Sequence, residues 1–95
     1  MNPVEKKALK AQAHSLNPVV MVGQAGLTPT VINEVNIALD AHELIKVKIR
    51  AEREERKIIA LQICQEAQCE LIQSIGQIIV LFRNNPAKKP QRSFG

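Results

Sequence analysis

The residues of this chain whose types and spacing could do chemistry are two glycines and three cations, not a nucleophile or a pair of acids. Gly23-Gln24-Ala25-Gly26 follows the apolar run Val19-Val20-Met21-Val22 and precedes Thr28-Pro29. Thr28 suits a helix N-cap, and Pro29 suits the first helical position, where an N–H has no intrahelical partner. A strand that turns on glycines into a helix start gathers backbone N–H groups and the positive end of a helix dipole at one point. That is a seat for a phosphate. Further on, Ile45, Val47 and Ile49 alternate with Lys46, Lys48 and Arg50. Period two places the three cations on one strand face and the three aliphatics on the other. Neighbouring like charges repel, so stability alone does not favour the arrangement. A lysine-bearing strand face that blunts aggregation is the competing explanation; contact with a polyanion is the functional one.

Spacing restricts which phosphate could bind. No Gly-x4-Gly-Lys-Ser/Thr run exists, which excludes a P-loop. The dinucleotide fingerprint needs a third glycine and an acid at the end of the next strand, where this chain has Arg50. The remaining precedent is the Gly-x-x-Gly loop that clamps a nucleic-acid backbone in KH domains, where it likewise precedes a helix. Alone, that tetrapeptide is more often a plain tight turn. Joined to a helix start and a cationic strand, it carries more weight.

Catalytic constellations are missing. His42-Glu43 is not followed by a histidine at the zinc-protease spacing, the only other histidine is His14, and Asp40 is the sole aspartate. Ser15 and Ser74 stand outside any nucleophile elbow, and the glutamates fall mostly on faces expected to be solvated. The expectation is no enzyme, no cofactor, no metal and no small-molecule substrate.

Composition agrees. The 95 residues make one domain, with a formal net charge of +4 and a pI near 9.4 that bias the partner toward a polyanion. The chain has no Trp or Tyr and only Phe82 and Phe94, so base stacking on aromatic platforms is an unsuitable binding mode. Its apolar runs are far short of the about 20 residues that span a bilayer, and its N-terminus lacks the apolar core of a secretion signal. Cys64 and Cys69 have no second pair, which argues for semi-buried thiols of a cytoplasmic protein rather than a disulfide framework or a zinc knuckle.

The elements that must position the two motifs follow from periodicity. Residues 3–15 read as a helix with Asn2 as N-cap, apolar at Val4, Ala8, Ala11 and Leu16, and carrying Lys6, Lys7 and Lys10 outside. Val19 to Val22, apolar on both faces, reads as a central strand covered from both sides. Pro29 to Ala41 is a second helix, Leu44 to Arg50 a strand, and Arg53 to Gln68 a third helix. Glu70 to Ser74 reads as an outer strand, and Ile78 to Phe82, ending at Arg83, as a second all-apolar strand. The order α-β-α-β-α-β-β implies an α/β fold with a four-stranded mixed sheet. Each β-α-β crossover should join parallel neighbours, and the last two strands should pair as a hairpin. The second and third helices would cover one face and the first helix part of the other, with the cationic strand lying where that cover stops. Residues 84–95 form a basic tail expected to be flexible.

Three stretches together resemble a known family. Leu9 to Thr28 resembles the opening of the CRM domain (chloroplast RNA splicing and ribosome maturation). His42-Glu43-Leu44-Ile45-Lys46-Val47-Lys48-Ile49 resembles its central signature. Ile75-Gly76 with Val80-Leu81-Phe82-Arg83 resembles its closing strand. The resemblance spans about residues 4–83 and points to the stand-alone bacterial branch, the YhbY type. It implies a fold similar to the C-terminal domain of translation initiation factor 3. It also implies RNA binding through the glycine loop and adjacent basic surface, and association with precursors of the large ribosomal subunit. Two departures stand out: the loop centre, Gln24-Ala25, has no cation, and Phe82 replaces a common tyrosine.

The reading is therefore a non-catalytic, cytoplasmic, monomeric RNA-binding domain over residues 1–83, acting on ribosomal RNA precursors. Gly23, Gln24, Ala25 and Gly26 would admit the backbone, and Lys46, Lys48 and Arg50 would neutralise phosphates. Lys6, Lys7, Lys10 and Arg83 form a second tier. The alternative is a factor that docks on a ribosomal protein or an assembly GTPase. More distant is a small phosphate-ester enzyme.

Overall fold

The computed structural model describes residues 2–84; the expectation for the tail concerns residues that lie, from 85 on, outside that range. Seven elements follow the expected order: α1 (Pro3–Ala13), β1 (Pro18–Val22), α2 (Pro29–His42), β2 (Leu44–Ile49), α3 (Arg53–Ala67), β3 (Glu70–Ile75) and β4 (Ile78–Phe82). Local chemistry sets their limits. The Glu5 N–H donates to Asn2 Oδ1 at 2.8 Å, and Asn2 Nδ2 donates back to Glu5 Oε1 at 2.7 Å, a reciprocal cap that starts α1. The Val31 N–H donates to Thr28 Oγ1 at 3.2 Å at the start of α2. At its end, α3 closes on Gln68 in the left-handed conformation, with the Cys69 N–H donating to the Cys64 carbonyl at 3.1 Å.

The sheet order is β1-β2-β4-β3. β1 and β2 are parallel, and β4 is antiparallel to both β2 and β3. Two expectations are corrected here. The crossover through α3 does not join neighbours, because β4 inserts between β2 and β3. And β1 is an edge strand, not a doubly covered central one: Val20 and Val22 are buried, but Val19 and Met21 are 54% and 52% exposed. The all-apolar run misled because burial on both faces requires a cover that α1 does not provide at this position.

Two cores flank the sheet. α2 and α3 pack against Val20, Val22, Ile45, Val47, Ile49, Ile79 and Leu81. On the other face Ala13 joins Leu44, Ile72 and Val80, with Leu9, Leu16 and Phe82 packed around them. So α1 docks through Leu9 and Ala13, joined by Leu16 just past its end, and not through Val4, Ala8 and Ala11; Val4 is 79% exposed. Helix α1 also ends at Ala13, two residues short of the expected limit.

Candidate nucleic-acid interface

The Gly23–Gly26 loop is a four-residue turn closed by the Gly26 N–H donating to the Gly23 carbonyl at 3.0 Å. Gly26 has φ +79°, a conformation that glycine adopts without a Cβ penalty. Gly23 lies outside the left-handed region, and a Cβ built on it would meet nothing within 4 Å among the described residues. Gly26 therefore serves the turn itself, whereas neither packing among the described residues nor a positive φ calls for glycine at 23. Gln24 and Ala25 are exposed between them, and α2 starts three residues beyond Gly26 with its positive dipole end toward the loop.

The cationic strand adjoins this loop. Because β1 and β2 run parallel, with Val22 opposite Ile49, both finish at one end of the sheet. The Arg50 N–H, one residue past β2, donates to the Val22 carbonyl at 2.9 Å, beside Gly23. Ile45, Val47 and Ile49 face the α2–α3 core, so Lys46 and Lys48 face the α1 side. Among the described residues, Lys46, Lys48 and Arg50 have no ion-pair partner. Nor do these lysines guard an edge, since β2 is internal. That removes the aggregation-blunting explanation for them.

Register arranges the α1-side face in rows, because directly paired residues share a face. The row nearest the loop runs across all four strands: Met21, Lys48, Ile78, Ile75. The next is Pro18, Lys46, Val80, Gln73. α1 sits on the lower rows through Leu44, Val80 and Ile72 and leaves the top row open. Met21 is 52% and Ile75 63% exposed, while Lys48 and Ile78 are half-buried.

The second-tier cations divide. Lys10 and His14 share with Lys46 a depression of about 190 Å³ that also touches Ile75 and Ile78. Lys6 and Lys7, exposed, stand one turn earlier on α1 and prolong that line. Arg83 does not join them. It lies at the other end of the sheet, its N–H donating to the Glu43 carbonyl, and its guanidinium is committed internally. Nη1 donates to Asn36 Oδ1 at 2.8 Å and to the Ala67 carbonyl at 2.7 Å. Nη2 donates to Asp40 Oδ1 at 2.8 Å and to the Asn36 carbonyl at 3.2 Å. One side chain thus ties β4 to α2 and to the end of α3. Its sequence position, just after an apolar strand, resembled that of Arg50 and gave no sign of this.

Sequence reasoning assigned no role to Arg53, Arg56 and Lys57. They line an open groove of about 690 Å³ between α3 and β3, with Leu61, Leu71 and Ser74. Arg56 is tied to the Ala51 carbonyl at 2.7 Å, and Lys57 lies 4.0 Å from Glu54. The signal was hidden because Glu52, Glu54 and Glu55 stand among these cations and balance them in the sequence.

The thiols lie at the Arg83 end. The hydrogen bond from the Cys69 thiol lowers the Cys64 pKa, and the same bond, with burial, raises that of Cys69. Among the described residues no group of three or more His, Cys, Asp or Glu is placed to hold a metal ion, and no helix is long and apolar enough to cross a membrane.

Comparison with known proteins finds relatives over most of the chain. Residues 1–83 match the CRS1 / YhbY (CRM) domain. The chain is 47% identical over 88 residues to a protein of Haemophilus influenzae named "RNA-binding protein", covering 92% of this chain and 89% of that one. It is 41% identical over 90 residues to the probable RNA-binding protein PA4753 of Pseudomonas aeruginosa, covering 94% and 85%. Among solved structures, the solution structure of the hypothetical protein SAV1595 from Staphylococcus aureus superposes with a TM-score of 0.79 at 28% identity, covering 90% of each chain.

Proposed function

The chain belongs to the CRS1 / YhbY (CRM) domain family, and from that premise we propose that it is a non-catalytic, monomeric RNA-binding protein of the cytoplasm acting on ribosomal RNA precursors during large-subunit assembly. The observation that carries this reading is the Arg50–Val22 backbone hydrogen bond of 2.9 Å, which sets the end of the cationic strand beside the glycine loop. The loop supplies amides and a helix dipole but no charge. Arg50, Lys48, Lys46 and Lys10 supply the charge, from the rim down the α1-side face. Phosphates bind such a surface with release of counterions, so affinity falls with salt. The names of the relatives support RNA as the ligand.

Crosslinking the protein to RNA in cells, then reading both the RNA and the crosslinked peptides, tests the assignment. Expected are large-subunit ribosomal RNA precursors and peptides from residues 23–26 and 46–50. A protein retained on pre-ribosomal particles without RNA crosslinks would instead support docking on a ribosomal protein or assembly GTPase. The feature favouring that second reading is the exposed pair Ile58 and Leu61 on α3.

The two glycines give opposite expectations. Gly23→Ala should leave folding intact or raise stability by about 0.4–1 kcal/mol, because the new methyl group has room and the unfolded chain loses freedom. RNA affinity should nevertheless fall several-fold, since the methyl group stands where a backbone would approach. Gly26→Ala should cost about 1–2 kcal/mol of stability through its positive φ. Thermal unfolding and fluorescence anisotropy on both variants separate these effects; equal behaviour would argue against a ligand-contact role for Gly23.

A further inference from the structure

We infer that the open row Met21–Lys48–Ile78–Ile75 is a platform for unpaired nucleobases, so that the RNA bound at the glycine loop is single-stranded there. The inference rests on the RNA reading and adds the kind of RNA. A surface that met only phosphates would need only cations. This row instead places three aliphatic or thioether side chains around one lysine, and it leaves Met21 and Ile75 more than half exposed.

Exposed apolar area is usually small and scattered on a soluble domain, so an organised row calls for an occupant. Charge decides which occupant. Lys48 sits in the row, Lys46 and Lys10 lie directly below it, and Arg50 stands at its rim, all without ion-pair partners among the described residues. An apolar protein helix would have to desolvate these cations without compensation. A base is flat and apolar on its faces, and carries its phosphate within reach of the neighbouring lysine.

A duplex hides those faces in its own stack and offers the row only a sugar–phosphate surface. Three strand spacings make the row roughly 14 Å wide. Four-stranded sheets of other RNA binders seat two or three bases in comparable space through aromatic residues. Here, with no Trp or Tyr in the chain, a polarizable methionine and two isoleucines take that place. Continuity with the loop sets the polarity of the arrangement: backbone at Gly23–Gly26 and Arg50, bases inward across the sheet toward Ile75.

The test compares a short mixed-sequence single-stranded RNA with a blunt hairpin duplex of the same composition, by anisotropy at several salt concentrations. Three proteins are used: wild type, the double variant Met21→Ser with Ile75→Ser, and Lys48→Gln. Wild type should favour the single strand about tenfold or more. The double variant, altered only at exposed positions, should keep its thermal midpoint and its duplex affinity. It should lose about tenfold for the single strand with an unchanged salt slope, whereas Lys48→Gln should weaken both ligands and flatten the slope. As a second readout independent of the variants, single strands carrying photoreactive bases should crosslink to Met21 or Ile75.

Equal affinity of wild type for both RNAs, or base crosslinks confined to other faces, would overturn the platform while leaving RNA binding standing. No binding of either RNA would remove the functional reading itself. A double variant that binds RNA normally yet loses retention on ribosomal particles, or loses self-association, would assign the row to a protein or to a second copy and so overturn the inference.

Discussion

Replacing Lys46, Lys48 and Arg50 together by glutamine is expected to lower RNA affinity about a hundredfold and to reduce the salt slope by about two. Three charge-assisted contacts are removed at about 1 kcal/mol each, and each phosphate neutralised contributes roughly 0.7–0.9 to the slope. With four to six contacts in the wild type, the slope of log K against log salt should be about −3 to −4 for an unpaired strand. The loss should be about uniform across RNA sequences, because phosphate contacts carry no sequence information. Folding should survive. Removing adjacent like charges relieves repulsion, and the opposite face of β2 (Ile45, Val47 and Ile49) keeps its core contacts. Titration of wild type and variant at a series of salt concentrations measures both quantities. Undiminished affinity with an unchanged slope would place the site elsewhere.

The largest effect on stability should come from Arg83→Ala, and it should be of the opposite kind. The guanidinium makes four hydrogen bonds, one of them to the Asp40 carboxylate, while its side chain is 21% exposed. Truncation strands the Ala67 carbonyl at the end of α3, takes the donor from Asn36 Oδ1 and removes the polar ties between the end of β4 and the two helices. Asp40 is largely exposed, so the ion-pair part is screened and adds little. The lost bonds to backbone and amide oxygens carry the cost, about 2–3 kcal/mol in all. For a domain of this size that corresponds to a thermal midpoint lower by roughly 10–20 °C. Arg83→Lys should recover only part, since an ammonium cannot reproduce the two-pronged donation. RNA affinity of the folded fraction should stay at the wild-type value. A variant with unchanged midpoint and weakened RNA binding would return Arg83 to the interface.

These two expectations treat residues that look alike in the sequence. Arg50 and Arg83 each follow a strand directly, and each was a reasonable phosphate ligand from pattern alone. They differ because β4 runs antiparallel to β2, which carries Arg83 to the opposite end of the sheet, against α2 and α3. Antiparallel insertion of β4 between β2 and β3 also explains why the second crossover skipped a strand. No local signal encodes which edge a hairpin adds to. Similarly, Val19 and Met21 read as core because their neighbours are apolar, yet coverage depends on where α1 lies. That is set by Leu9, Ala13 and Leu16 meeting Leu44, Ile72 and Val80.

By itself, the sequence determined what depends on a few neighbouring residues. The Asn2 and Thr28 caps, the Gly26 turn, the period-two strand and the family signature all act over distances that a short window contains. They were enough to define seven elements, a loop suited to a phosphate and a strand with lysines on one face. The tertiary structure alone decided strand order, and with it three facts that govern the site. Parallel pairing brings Arg50 beside Gly23. The short reach of α1 leaves the Met21–Ile75 row open. The hairpin withdraws Arg83 into a clamp. Each depends on burial, and burial is a property of what packs above a side chain, from residues far away in the chain.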